Sequence, residues 1–181
     1  MPTHAAFLKG MNLGNRRLTN EELRGHFESI GLGEVSTFRA SGNVVFSSPQ
    51  KRSERALVEL IEAELAELLG YPVVTFVRDR AELIEIAGVE PFDAAVTSKL
   101  KGKHQVMLLG AKPKAAARRE ALALADRDDA LVLLGRELHW LPAGGMSDSQ
   151  LDLKTLDRLL GPMTIRTKGT VEQIVSRHFA A

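Results

Sequence analysis

The chain has 181 residues, 44% of them hydrophobic and 26% charged, with a formal net charge of +1. That balance suits a globular chain long enough to bury a real core, and it excludes a polycation made as a whole for nucleic acid. With no cysteine there is no disulfide framework, no thiolate nucleophile and no cysteine-ligated zinc or iron–sulfur centre.

In chain order, HAAFLKG from His4 predicts a short buried strand. The basic stretch KGMNLGNRR, Lys9 to Arg17, leads into an explicit helix start. Thr19 and Glu22 form a capping box, with Leu18 and Leu23 at the staple positions around it. Leu23, Phe27 and Ile30 repeat at helical spacing, and Gly31 closes the helix. EVSTFRA and NVVFSS, joined at Ser41-Gly42, predict a hairpin. A second helix, SERALVELIEAELAELLG, carries an apolar stripe of Leu57, Leu60, Ile61, Leu65 and Leu68; Gly70 ends it and Pro72 bars its continuation. VVTFV is a fourth strand. This β-α-β-β-α-β order over residues 4–78 is the ferredoxin-like arrangement.

After a helical connector at 79–88 and a bend at Pro91, the order recurs. HQVMLLG is a strand, PKAAARREALALA a helix, ALVLL and ELHWL a hairpin across Gly135-Arg136, DLKTLDRLLG a helix and MTIRT a last strand. A second capping box, Thr170 to Gln173, opens a terminal helix through Phe179. The expected class is α/β (α+β): two ferredoxin-like halves with mainly antiparallel sheets, at residues 1–78 and 104–181, joined by a helical connector and basic loop at 79–103. The first apolar run is too short for a signal-peptide core, and no stretch approaches the roughly 18–20 apolar residues of a membrane span. The expected location is therefore the cytoplasm, with no membrane partner.

The first and third strands of a ferredoxin-like sheet are antiparallel neighbours, so the end of one lies beside the start of the other. That sets Lys9, Gly10 and Asn12 beside Arg39, Ser41, Gly42 and Asn43, with Arg16 and Arg17 on the same rim. Glycines let a backbone approach a ligand and expose its N–H groups, while the cations neutralise an anion. The rim is a candidate site for a phosphate, a nucleotide or a nucleic-acid backbone. Turn chemistry alone also accounts for its Gly and Asn, and its spacing matches neither the P-loop nor the dinucleotide fingerprint. Glu22 adds a negative charge where a phosphate would meet the helix.

A second basic region holds Lys99, Lys101, Lys103 and His104, then Lys112, Lys114, Arg118 and Arg119 at a helix start, against the preference of the helix dipole. Residues 1–90 carry a net −3 and residues 91–181 a net +4, a mild asymmetry. One Trp and one Tyr supply little for stacking single-stranded bases. The five histidines show no metal-ligand spacing, no serine sits in a nucleophile elbow, and no metal or cofactor is expected. His139, beside Trp140 at the end of a hairpin strand, suits core packing or the lining of a pocket, and it is the one histidine offered as a general base.

The N-terminal segment AFLKGMNLGNRRLTNEELRGHFESIGLGEVSTFRASGNVVF resembles the start of the DUF1697 proteins, a bacterial family of uncharacterised function. An LRGINVGG-like segment of that family appears as Leu8 to Asn15, and its SGNVVF hairpin as Ser41 to Phe46, unaltered. The family's C-terminal pattern of a Pro/Gly turn, SKL and T-x-RNWNT resembles Pro142 to Gly145, Ser149-Gln150-Leu151 and Thr164 to Thr170. Lys9 stands for the family's Arg, Gln150 for its Lys, and Thr167-Lys168-Gly169 for its Asn-Trp-Asn, while Arg166 and Thr170 match. The resemblance implies an α/β fold with ferredoxin-like elements and no known substrate. It favours a site on the Lys9/Asn12/Asn43 rim, which Arg166 joins if the two halves face each other.

The expected function is a binding module for a phosphate-bearing ligand, either a small molecule or nucleic acid. Lys9 and Arg39 neutralise charge, Asn12, Ser41 and Asn43 orient the ligand, and Gly10 and Gly42 allow close approach. The alternatives are an enzyme acting on a small phosphorylated or acyl substrate in the cleft between halves, with His139 or a carboxylate as base, and an assembly protein whose sheet edges pair with a second copy.

Overall fold

The computed structural model describes residues 1–11, 18–39 and 41–179. These form eight strands and seven helices arranged as two four-stranded antiparallel sheets. By backbone proximity the chain divides into two compact units, Met1–Glu85 with Gln173–Ala181, and Ile86–Glu172. No helix of the described residues is long and apolar enough to cross a membrane.

In the first unit the strands are β1 (His4–Lys9), β2 (Gly33–Thr37), β3 (Asn43–Ser47) and β4 (Val74–Asp79). Their sheet order β2-β3-β1-β4 is the ferredoxin-like one. Helix α1 (Asn20–Ser29) starts where its capping box puts it. The Thr19 backbone N–H donates to Glu22 Oε2 at 2.8 Å, and Thr19 Oγ1 accepts from the Glu22 N–H at 3.2 Å. Helix α2 (Glu54–Leu69) is capped by Ser53 and closed by Gly70, a left-handed residue whose N–H donates to the Ala66 carbonyl. Its fully buried stripe is Leu57, Ile61, Leu65 and Leu69. Leu69 takes the inner place that sequence spacing assigned to Leu60 and Leu68, because a strict i, i+4 row from Leu57 reaches it.

Ala6 and Leu8 of β1, with Val44, Phe46 and Val77, share one apolar cluster with Leu23 and Phe27 of α1 and the α2 stripe. Ala5 and Phe7, which point to the other sheet face, are equally buried, as the unbroken apolar run predicts. Each large side chain so enclosed contributes about 1.5–3 kcal/mol.

The second unit repeats the pattern with β5 (Gln105–Leu109), β6 (Asp129–Leu134), β7 (Glu137–Pro142) and β8 (Met163–Thr167), in the order β6-β7-β5-β8. Met107, Leu109, Leu138 and Trp140 pack with Ala121 of α5 (Ala115–Leu122) and with Leu156 and Leu160 of α6 (Leu153–Leu160). The connector contains α3 (Arg80–Gly88) and an unanticipated short helix, α4 (Ala94–Lys99), capped by Asp93.

The last helix, α7 (Lys168–His178), corrects one expectation. It starts directly after β8 rather than at Thr170, because the Lys168 N–H still donates to the His104 carbonyl and Thr167 Oγ1 accepts from the Thr170 N–H. Its end, from Gln173, counts with the first unit rather than with residues 104–172. Arg39 donates to Gln173 Oε1 at 2.9 Å, and the Arg177 guanidinium carbon lies 5.3 Å from the centre of the Phe38 ring.

Candidate functional site

The pairing of β1 with β3 sets Phe7 opposite Asn43, and the Leu8 N–H donates to the Gly42 carbonyl at 2.8 Å. The end of β1 and the β2–β3 turn are thus neighbours. Lys9 pairs with Val74 across the other edge of β1 and is half-buried; Gly10 follows it, exposed, at φ 71°. Asn12, Arg16 and Arg17 lie outside the described residues.

The hairpin turn is braced from within. Asn43 is 1% exposed, and its amide nitrogen donates to the Phe38 carbonyl at 2.9 Å and to Ser41 Oγ at 2.7 Å. Gly42 is left-handed at φ 69°, and a Cβ there would stand 3.1 Å from Leu8 Cβ. The close approach it permits is that of the turn to β1. We expect Asn43→Ala to strand the buried Phe38 carbonyl and to cost about 1–3 kcal/mol. Thermal denaturation without any ligand reads this directly, and an unchanged midpoint would contradict the bracing role.

Arg39 is exposed yet holds φ 59°, a left-handed conformation that costs a non-glycine residue roughly 1–3 kcal/mol and clusters at functional positions. Its guanidinium carbon lies 5.5 Å from the centre of the Phe38 ring, while Gln173 accepts from it on another side. Arg177, from the far end of the chain, reaches the same ring. Among the described residues neither arginine has a carboxylate partner. Gln173 and Arg177 carried no local signal for this site, since more than 130 residues separate Arg39 from Gln173 and only the fold unites them.

Arg166 belongs to the second unit, on β8 opposite Val106. It donates to Thr164 Oγ1 and to the Ile165 carbonyl, both at 2.8 Å, and burial lowers its pKa to about 10. His139, the candidate base, is 1% exposed and shares a 2.9 Å hydrogen bond with His104. Burial first, then the neighbouring His104, lowers its pKa to about 4, far below that of a base poised for neutral pH. Lys168 lies beside this pair with its ammonium enclosed, bonded to Glu90 at 2.5 Å and Glu172 at 2.7 Å. Burial opposes its charge, but the hydrogen bonds to Glu172 and Glu90 outweigh that and raise its pKa. Among the described residues no cluster of His, Asp and Glu is placed to hold a metal ion.

Ser149, part of the family-like SKL position, has a structural partner. Its hydroxyl donates to the buried Asp129 carboxyl group, which also accepts from Trp140 Nε1 at 2.6 Å.

The fold and this geometry define an α/β protein of two ferredoxin-like units, with an arginine-bearing rim on the first. The chain belongs to the DUF1697 family, described as a protein of unknown function, whose model matches residues 1–139. Gln173 and Arg177 lie beyond that match. Among solved structures, the chain is similar to the conserved bacterial protein SP0830 from Streptococcus pneumoniae. The two share 19% identity and a TM-score of 0.73, with 98% of this chain and 99% of that chain covered. That likeness is one of fold. No curated protein matches the sequence.

Proposed function

We propose that the chain is a binding module for a phosphate-bearing ligand, held at the rim formed by the end of β1 and the β2–β3 turn. The observation that carries this reading is Arg39, an exposed cation on a strained left-handed backbone with a neutral amide, not a carboxylate, as its hydrogen-bond partner. Guanidinium groups suit phosphate oxygens because their donors form a rigid fork. Lys9 adds a second positive charge at the end of β1. Asn43 and Ser41 hold the loop in shape rather than touching the ligand, and Gly10 offers an exposed backbone for close approach.

The test is a thermal-shift series at low salt with inorganic phosphate, nucleotides and sugar phosphates, run beside Arg39→Gln. A ligand at about 100 times its Kd adds roughly 2.7 kcal/mol, a shift of about 5–10 °C for a chain of this size. The shift is expected in the wild type and absent in the variant. Equal shifts in both proteins, or none across the panel, would overturn the reading.

A further inference from the structure

We propose that the open edge of β6 is a self-association surface, on which β6 of a second copy of this chain pairs antiparallel about a two-fold axis. The two sheets of the described residues end in four edge strands, β2, β4, β6 and β8. Three of them are guarded from within. A register shift between Gly33 and Ser36 interrupts β2, where Glu34 is bonded to the N-terminal amine. On β4 the Thr75 N–H donates to Glu62, the Asp79 N–H donates to Glu82, and Arg78 donates to the Val77 carbonyl. On β8 Arg166 donates to the Ile165 carbonyl.

β6 has no such guard. Its six residues pair with β7 in unbroken register, and Ala130 to Leu134 include no charge, proline or glycine. The Ala143 N–H donates to the Asp128 carbonyl, which fixes the phase of that ladder. Ala130, Val132 and Leu134 therefore bond to β7, while Leu131 and Leu133 turn their N–H and C=O groups outward. Those outward groups have no hydrogen-bond partner among the described residues.

The symmetry of the strand identifies its occupant. Leu131-Val132-Leu133 reads the same in both directions. A two-fold axis at Val132 sets Leu131 of each copy opposite Leu133 of the other and satisfies every outward group on both strands. The same register sets half-buried Ala130 opposite Leu134, which is 39% exposed, small against large. It also brings Asp128 beside Arg136 of the other copy. Asp126 and Asp128 outweigh Arg127, so the segment that the cationic turn approaches is net negative. One strand pair is a small interface, so the dimer dissociates on dilution.

Analytical ultracentrifugation of the full chain at low salt, over a range of concentrations, tests this, with thermal midpoints confirming that each variant folds. The wild type is expected to pass from monomer to dimer as concentration rises. Val132→Lys sets two ammonium groups face to face on the axis and is expected to leave monomer only. Arg136→Glu is expected to raise the dimer Kd about tenfold, since symmetry counts the reversed contact twice. Adding Asp128→Arg to it restores opposite charges and should recover the affinity, which a merely structural effect of either residue would not do. A wild type that stays monomeric at every concentration overturns the proposal. So does a dimer that neither Val132→Lys nor Arg136→Glu weakens, or a double variant that dimerises no more tightly than Arg136→Glu alone.

Discussion

Asp129→Ala is expected to lower the melting temperature by roughly 10 °C. The Asp129 carboxyl group is 2% exposed and accepts from Trp140 Nε1 at 2.6 Å and from Ser149 Oγ at 2.8 and 2.9 Å. Alanine leaves a fully buried indole N–H and a half-buried hydroxyl without their acceptor. Hydrogen bonds to such a group contribute about 1.5–3 kcal/mol each, and a stranded buried donor adds its desolvation cost, so the loss is about 3–5 kcal/mol. At roughly 2–4 °C per kcal/mol for a chain of this length, the midpoint falls by the stated amount. Asp129→Asn is expected to lose less, because its amide oxygen still accepts from Trp140 and the Ser149 hydroxyl can turn to accept from the amide nitrogen. Ser149→Ala belongs between wild type and Asp129→Ala, since it removes one donor and leaves the indole bond intact. Denaturation of the three variants side by side ranks them, and an Asp129→Ala midpoint within about 2 °C of wild type would show that the network carries little of the stability.

Acidification is the second large effect. The ordinary imidazole value is 6.5, and burial lowers both His104 and His139 to about 4. Above pH 6.5 both imidazoles are neutral in the folded and the unfolded chain. Between pH 6.5 and about 4 the unfolded chain takes up protons that the folded pair refuses, so stability falls as pH falls. Below about 4 both states are protonated and the loss levels off. The limit is about 1.4 kcal/mol per pH unit for each imidazole, and half-buried His104 contributes less than enclosed His139 because solvent screens it. From pH 7 to pH 4.5 the pair should cost roughly 2–4 kcal/mol. His4 and His178, also held below 6.5 chiefly by burial, act in the same window. His139→Gln, which keeps a partner for His104 but does not titrate, should flatten the decline. Urea unfolding at pH 7, 5.5 and 4.5 measures it, and parallel declines in the two proteins would assign the acid sensitivity elsewhere.

Little of the candidate site was legible from residue types alone. Lys9, Gly10, Arg39 and Gly42 were visible as a basic, turn-forming set, and antiparallel β1–β3 pairing brings those segments together. The roles within the set were not visible. Asn43 looked like a ligand group because it is polar and lies in a turn, yet it is a buried brace, and burial is a property of the surrounding chain. Gly42 looked like an opening for a ligand, and its neighbour is Leu8.

Local chemistry was enough for the elements themselves. Thr19 and Glu22 start α1, Gly70 stops α2, and short apolar runs between turns mark the strands, because caps, breakers and local pattern act over a few residues. The recurrence of one β-α-β-β-α-β order in each half followed from the same signals and led to the two sheets. What only the tertiary structure decided depends on residues far apart in the chain. Lys168 extends a helix forward because a ladder bond to His104 holds its N–H, and His139 is enclosed beside His104, where burial lowers its pKa to about 4. Arg177 and Gln173 reach Arg39 and Phe38 because the end of the last helix packs with the first unit. Contacts of that range leave no periodicity or spacing in the sequence.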